Sequence, residues 1–459
     1  MNKRNNFSFV FTFLFVMLSI TLINAQSVSE WTNFNRQVNG DTFYAGNFNL
    51  TGIELLWNYT FPSSFEINPI SVYEGKVYVG AYGDFSLTVL NSSNGNLLWN
   101  YSITSNLVNL PVINKEDGLV YIVGESSSGD GFARLYALNK DTGIEVWTYD
   151  FDARNDLSNP VIVGDILYFK VQNGYSFFAL NKTSGEQLWN KTYYKNNWGT
   201  PTYSNGKLFL NFEDDGLILA INSSNGDEIW NYSALVTWYG TPLVKNGVLY
   251  TGTYDNSIIA LDEDNGSLIW TFPTGSDCEG TPAEYNGILT WGCYDTFFYA
   301  LNSSDGTQLW NFSAGIGINY ESSPVITQNG IVFFATYQGS PDTLYALDLY
   351  NGNVLWSYNT TTQMDYVTPT IVDNVIYFSD YNGIVYAVGK LQVLEEEVVV
   401  PQRTDEGQAI YDVFNSSGAG LGLFLKYVGY GLMILIPALI VVGIVLVLLK
   451  PIKKIFGTA

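Results

Sequence analysis

Apolar runs alternate with turn-forming clusters along most of this chain, in one recurring order. The run Val244-Lys245-Asn246-Gly247-Val248-Leu249-Tyr250 is apolar, turns over at Asn-Gly and returns apolar. That is the signature of a tight hairpin. In the same unit, Ala260-Leu261-Asp262 leads to Gly266 and then to Trp270. An Asp or Asn followed by Gly bonds its own backbone and permits positive φ, so this interval predicts a second hairpin. Each unit therefore holds four strands.

The unit is counted by two independent marks. Trp57, Trp99, Trp147, Trp189, Trp230, Trp270, Trp310 and Trp356 recur at intervals of roughly 43 residues, the period of a propeller blade. Ahead of the last seven, Gly95, Gly143, Gly185, Gly226, Gly266, Gly306 and Gly352 stand at one spacing. Pro69, Pro111, Pro160, Pro201, Pro242, Pro282, Pro324 and Pro369 open the first hairpin of each unit. The phase of the repeat predicts closure. The strand around Trp57 has no Ala-Leu-Asn strand before it, and Val385-Tyr386-Ala387-Val388-Gly389 has no Trp strand after it. Joining these two completes one blade and removes the open edges. The fold class expected is all-β: an eight-bladed propeller of four-stranded antiparallel blades, spanning 49–391 after a lead-in at 26–48.

The ends of the chain read differently. Met1-Asn2-Lys3-Arg4, the apolar run from Phe7 to Ile23 and the small residue Ala25 describe a signal peptide over 1–25. An uncleaved membrane helix is the alternative there. A longer apolar stretch from Tyr427 to Leu449 predicts a transmembrane helix, and Lys450, Lys453 and Lys454 mark its cytoplasmic flank. The polar, Gly-rich 392–426 predicts a stalk, and 450–459 a short cytoplasmic tail. The expected protein is single-pass, with its propeller outside the cell.

Composition narrows the chemistry. The chain has 459 residues, no His, 20 Lys plus Arg and 43 Asp plus Glu, for a net charge of −23. No base occurs from Asn246 to Gly389. Without His, Ser-His-Asp and Cys-His nucleophiles and His-ligated metals are excluded. So acidic a body offers no means of neutralising phosphates, so nucleic acid is excluded as a partner. Its self-repulsion is relieved in acid, where most carboxylates protonate.

The string Ala137-Leu138-Asn139-Lys140-Asp141-Thr142-Gly143-Ile144-Glu145-Val146-Trp147 resembles the tryptophan-docking motif of quinoprotein-type propellers. The resemblance implies that the eight Trp pack between adjacent blades. It also implies two kinds of relative: dehydrogenases using pyrroloquinoline quinone (PQQ) and calcium, and propellers that bind no cofactor. The dehydrogenases carry a vicinal disulfide and a calcium held by Glu, Asn and Asp. Here the only cysteines are Cys278 and Cys293, and no motif fixes a calcium set. The expectation is therefore a non-enzymatic binding or scaffold module without a cofactor. Its expected partners are the membrane and an envelope protein or a glycan. A PQQ- and calcium-dependent dehydrogenase and a structural membrane-assembly component are the alternatives.

Three sets of candidate residues follow. Cys278 and Cys293 flank the turn at Tyr285-Asn286-Gly287. With 283 opposite 288, they share one register, which predicts a cross-strand disulfide after export; two free thiols are the alternative. Asn-x-Ser/Thr sequons predict glycosylation. Asn58, Asn100, Asn190, Asn231 and Asn311 each follow a docking Trp. Asn49, Asn91, Asn181, Asn222, Asn265 and Asn302 lie at or near hairpin turns, and Asn359 and Asn415 complete the set. Trp198, Trp238, Tyr239, Tyr320 and Tyr366 precede blade prolines and are expected to ring one channel mouth. With Asp277, Glu279, Glu321 and Asp365 nearby, they would bind a sugar or a cation. Ordinary packing between blades is the alternative.

Overall fold

A computed structural model describes residues 42–390, apart from short segments at 63–65, 68–69, 83, 104–109, 125–131, 153–157, 172–175, 194–198, 213–215, 238–239, 319–322, 338–341, 361 and 365–366. The signal peptide, stalk, transmembrane helix and tail expected at 1–25, 392–426, 427–449 and 450–459 all lie outside the described residues. Among the described residues, no helix is long and apolar enough to cross a membrane.

Eight sheets, each built on four antiparallel strands, form the blades of the propeller. Blade 5 shows the plan: Leu243–Lys245, Val248–Thr253, Ser257–Asp262 and Leu268–Pro273, innermost to outermost. The first hairpin turns at Asn246-Gly247, both with positive φ (53° and 80°), as a two-residue hairpin requires. The outermost strand carries a bulge where Leu261 pairs with Leu268 and Ala260 with Trp270. The central strands are buried on both faces, so Ser257–Asp262 reads as a near-continuous apolar run. The outermost strands alternate outward and inward, as in Leu97–Ser102.

Closure occurs as the phase predicted. Glu54–Thr60 pairs antiparallel with Ile384–Gly389, Trp57 opposite Ala387, and supplies the fourth strand of the last blade. Phe43–Tyr44 runs parallel to the innermost strand of blade 7, Phe43 opposite Ile326 and Tyr44 opposite Thr327. Phe43–Tyr44 and a second short strand, Glu66–Ile67, escape a reading based on blade marks, because they carry neither the Trp nor the Pro.

Docking holds neighbouring blades together. Trp230 of blade 4 lies on Gly266 of blade 5, where a Cβ would sit 2.5 Å from its ring. Its indole Nε1 donates to the Glu263 carbonyl at 3.0 Å. Seven of the tryptophans, Trp57 to Trp310, meet the motif glycine of the next blade in this way, except that Trp189 shares Gly226 with the Lys191 stem. The glycine is needed twice over, for positive φ and for lack of a side chain. Tyrosines of the second strand reinforce the contact: Tyr250 Oη and Trp270 Nε1 both donate to the Ser303 carbonyl. Near the axis, side chains just before the blade prolines link one blade to the next. Thr241 Oγ1 accepts from Thr200 N–H, Ser323 Oγ from Thr281 N–H, and Thr368 Oγ1 from Ser323 N–H.

The seam between blades 7 and 8 is built differently. Gly52, the counterpart of the motif glycine, has no side chain against it, so Trp356 docks on no such glycine. The segment from Thr42 to Leu50 bridges the seam instead. The Asn329 side-chain amide pairs with the Phe48 backbone through two bonds of 2.9 Å. Asn374 takes the Asn49 N–H at 2.5 Å and returns a bond to the Asn49 carbonyl at 3.4 Å. Phe48 is 2% exposed and meets Phe333 edge-on at 5.1 Å. Accordingly, the largest apolar cluster joins blades 7, 8 and 1 with this segment.

Candidate functional site

The hairpin turns of blades 4, 5 and 6 surround a cavity of ≈ 640 Å³ at the end of the innermost strands. Its walls are Ser204-Asn205, Lys245-Asn246-Gly247 and Tyr285-Asn286-Gly287, with Glu263, Glu284 and Phe43 between them. Each turn places an Asn at positive φ (46°, 53° and 53°), which sets three amides around one rim. Phe43 comes from the N-terminal strand and stacks on Tyr285, ring centres 4.5 Å apart at 17°. The bridging segment thus completes the wall of the site.

The charges in this cavity are paired. Lys245 Nζ lies 3.1 Å from Glu284 Oε2, donates to the Glu284 carbonyl at 2.5 Å, and sits 5.7 Å from the Phe43 ring centre. Glu284 Oε1 accepts the Gly287 N–H at 2.7 Å. The Glu263 carboxylate, 2% exposed, accepts from Asn205 Nδ2 at 3.1 and 3.3 Å and lies 3.8 Å from Lys207 Nζ. An aromatic pair, rim amides and paired charges provide shape and hydrogen bonds, the equipment of recognition. None of these residues stood out in the sequence except as turn formers. The signal available was Asn-Gly repeated in three consecutive blades.

At the opposite end of blade 6, Cys278 and Cys293 form a disulfide with Cα atoms 4.2 Å apart. The expected register is corrected by two residues. Ala283 pairs with Thr290 and Tyr285 with Ile288, so 283 is not opposite 288. The bond therefore joins the loop entering the blade to the end of Ile288–Gly292, rather than two paired strand residues. Gly252 of blade 5 makes room for it, since a Cβ there would meet the Cys278 carbonyl at 2.0 Å.

Beside the disulfide, Glu279 is 6% exposed. Tyr254 Oη donates to its Oε1 at 3.2 Å, and Trp291 Nε1 to its carbonyl at 2.7 Å. Burial, helped by the nearby Asp277 charge, pushes its carboxyl from 4.5 up to about 7. A raised carboxyl stabilises the fold fully below about 4.5, and that contribution is lost as pH rises through about 7. Glu279→Gln is therefore expected to match the parent near pH 3 and exceed it at pH 8, by up to roughly 3 kcal/mol. Thermal unfolding across this range checks it. Identical profiles for the two proteins would refute the assignment.

The aromatic ring expected at a channel mouth is not described: Trp198, Trp238, Tyr239, Tyr320 and Tyr366 all lie outside the described residues, as do Glu321, Asp365 and Asn415. Among the described residues, no group of three or more His, Cys, Asp or Glu side chains is placed to hold a metal ion. The cysteine bridge spans fifteen residues and is not vicinal. Cys278 and Cys293 are therefore not the vicinal pair that the resemblance implies for the dehydrogenases.

Fold and docking pattern together define a PQQ-type repeat propeller. A sequence model for outer membrane protein assembly factor BamB matches residues 112–236 and 214–408, and the chain belongs to that family. No curated protein matches it significantly. Among solved structures, BamB from Moraxella catarrhalis is similar at 17% identity and a TM-score of 0.58, covering 74% of this chain and all of that one. Quinohemoprotein alcohol dehydrogenase ADHIIG from Pseudomonas putida HK5 is similar at 13% identity and a TM-score of 0.65, covering 79% and 81%. The quinohemoprotein alcohol dehydrogenase from Comamonas testosteroni gives 14% and 0.63, covering 82% and 83%. At these identities the likeness is one of fold.

Proposed function

We propose that this protein is an exported, glycosylated propeller, anchored by one helix at 427–449, that acts as a non-enzymatic binding or scaffold module. Its recognition surface is the cavity rimmed by Asn205, Asn246 and Asn286. The observation that carries this reading is the pairing of every Lys and Glu lining that cavity with a partner in the protein. Paired charges hold a shaped surface, which suits recognition. The basic first residues, Ala25 and the flanking lysines of the apolar 427–449 support export and anchoring.

The test is photo-crosslinking in intact cells of the native source, with the full-length chain. A photoreactive residue at Asn246 is expected to trap one discrete partner, and the same residue at Ser357 on an outer strand to trap none. Equal labelling from both positions would count against the cavity as the recognition surface. Alcohol-dependent dye reduction by the full-length protein, after loading with PQQ and calcium, would overturn the non-enzymatic reading.

A further inference from the structure

Nine of the sequons fall into two structural classes, and we infer that only one of the two carries glycans. Asn58, Asn100, Asn190, Asn231 and Asn311 occupy one position on the outermost strands of five blades. All five are exposed, and so are the hydroxyl residues two places on: Thr60, Ser102, Thr192, Ser233 and Ser313. Each of these strands is extended, with its outer edge outside the sheet pairing. A transferase can grip such a sequon without unfolding the blade.

The turn sequons are the reverse. Asn91, Asn181, Asn222 and Asn302 are half-buried, and their side chains already shape the turn. In three of them the acceptor hydroxyl is tied to the Asn itself. Ser93, Ser224 and Ser304 donate Oγ–H to the Oδ1 of Asn91, Asn222 and Asn302 at 2.6, 2.7 and 2.8 Å. At Asn181 the Oδ1 takes the N–H groups of Thr183 and Ser184, each at 3.0 Å. These Asn are needed as turn caps.

A second feature points to four of these five residues. The outer strands expose aliphatic side chains two places before the Asn: Leu98 at 45%, Leu188 at 47%, Ile229 at 44% and Leu309 at 48%. Positions two apart share a face, so the first sugar lies over that side chain. The glycans would cover an apolar band and also block edge-to-edge pairing of propellers. Blades 2, 5 and 7 lack a sequon at this place, and two of them guard their edges otherwise. Blade 2 has the Arg134–Asp150 ion pair, and blade 5 ends its outer strand at Pro273.

The modification is carried out by a membrane transferase with a lipid-phosphate-linked oligosaccharide as donor. The Asn amide nitrogen displaces the lipid phosphate from the anomeric carbon. A nitrogen–carbon bond forms, the carbon–oxygen bond to phosphate breaks, and the amide gives up one proton.

The inference rests on the export reading above, and one experiment separates the two. The full-length chain is purified from its native membrane, its N-terminus is sequenced, and its glycopeptides are mapped by mass spectrometry. Expected are a mature terminus at Gln26, glycan on the five outer-strand Asn, and bare Asn91, Asn181, Asn222 and Asn302. Glycan on the turn set, or bare outer strands with the terminus at Gln26, overturns the sorting alone. A chain starting at Met1 without any glycan overturns export and the sorting together.

Discussion

Trp230→Ala is expected to destabilise the propeller by about 3–5 kcal/mol, the range for deleting a buried aromatic. Trp230 is 8% exposed, packs at 5.8 Å on Phe209 of its own blade and covers Gly266 of the next. Its loss opens a cavity between blades 4 and 5 and leaves the Glu263 carbonyl without its indole donor. That carbonyl belongs to the residue whose carboxylate lines the candidate cavity. The same change therefore loosens a wall of the site. The reverse test is Gly266→Ala, which adds a methyl where Trp230 already lies and imposes strain at a φ of 71°. Chemical denaturation of both variants checks the prediction. A loss below about 1 kcal/mol in Trp230→Ala would mean that docking does not hold the blades together.

The repeating parts of this molecule were legible because each blade needs the same residues for the same reasons. Trp needs a bare Gly beneath it, the two-residue hairpin needs Asn-Gly, and the innermost strand starts after Pro. The closing strand was legible from phase, because an unpaired Trp strand at one end and an unpaired Ala-Val strand at the other complete each other. The cysteine bridge was legible as a pairing, but its register was not. The turn in blade 6 takes only Asn286-Gly287, which puts Tyr285 opposite Ile288. Least visible were features that occur once. Phe43, Phe48 and Asn49 lie in a stretch without blade marks, and their partners Tyr285, Asn329 and Asn374 are hundreds of residues away. The candidate cavity shares that difficulty, since Phe43 forms part of its wall and the rest reads as ordinary turn chemistry.

Phe48→Ala is expected to cost about 3–5 kcal/mol and to act at the one seam that lacks a Trp-on-Gly dock. Every other blade junction from blade 8 round to blade 7 has that dock; blades 7 and 8 have Phe48, Asn329 and Asn374 in its place. Since a closed ring shares its last junction between both chain ends, loosening this one frees the pairing of Glu54–Thr60 with Ile384–Gly389. Amide exchange in the variant should therefore rise first in blades 7 and 8, and remain slow in blades 3 and 4 until global unfolding. Asn374→Ala is the milder control. It removes two bonds to Asn49 and should cost about 1–2 kcal/mol with the same spatial pattern. Uniform acceleration around the ring in both variants would show that the N-terminal segment stabilises the propeller globally, without acting as a local clasp. The expected pattern also ties stability to recognition. Phe43 reaches the cavity only along this segment, so a seam that opens takes one wall of the site with it.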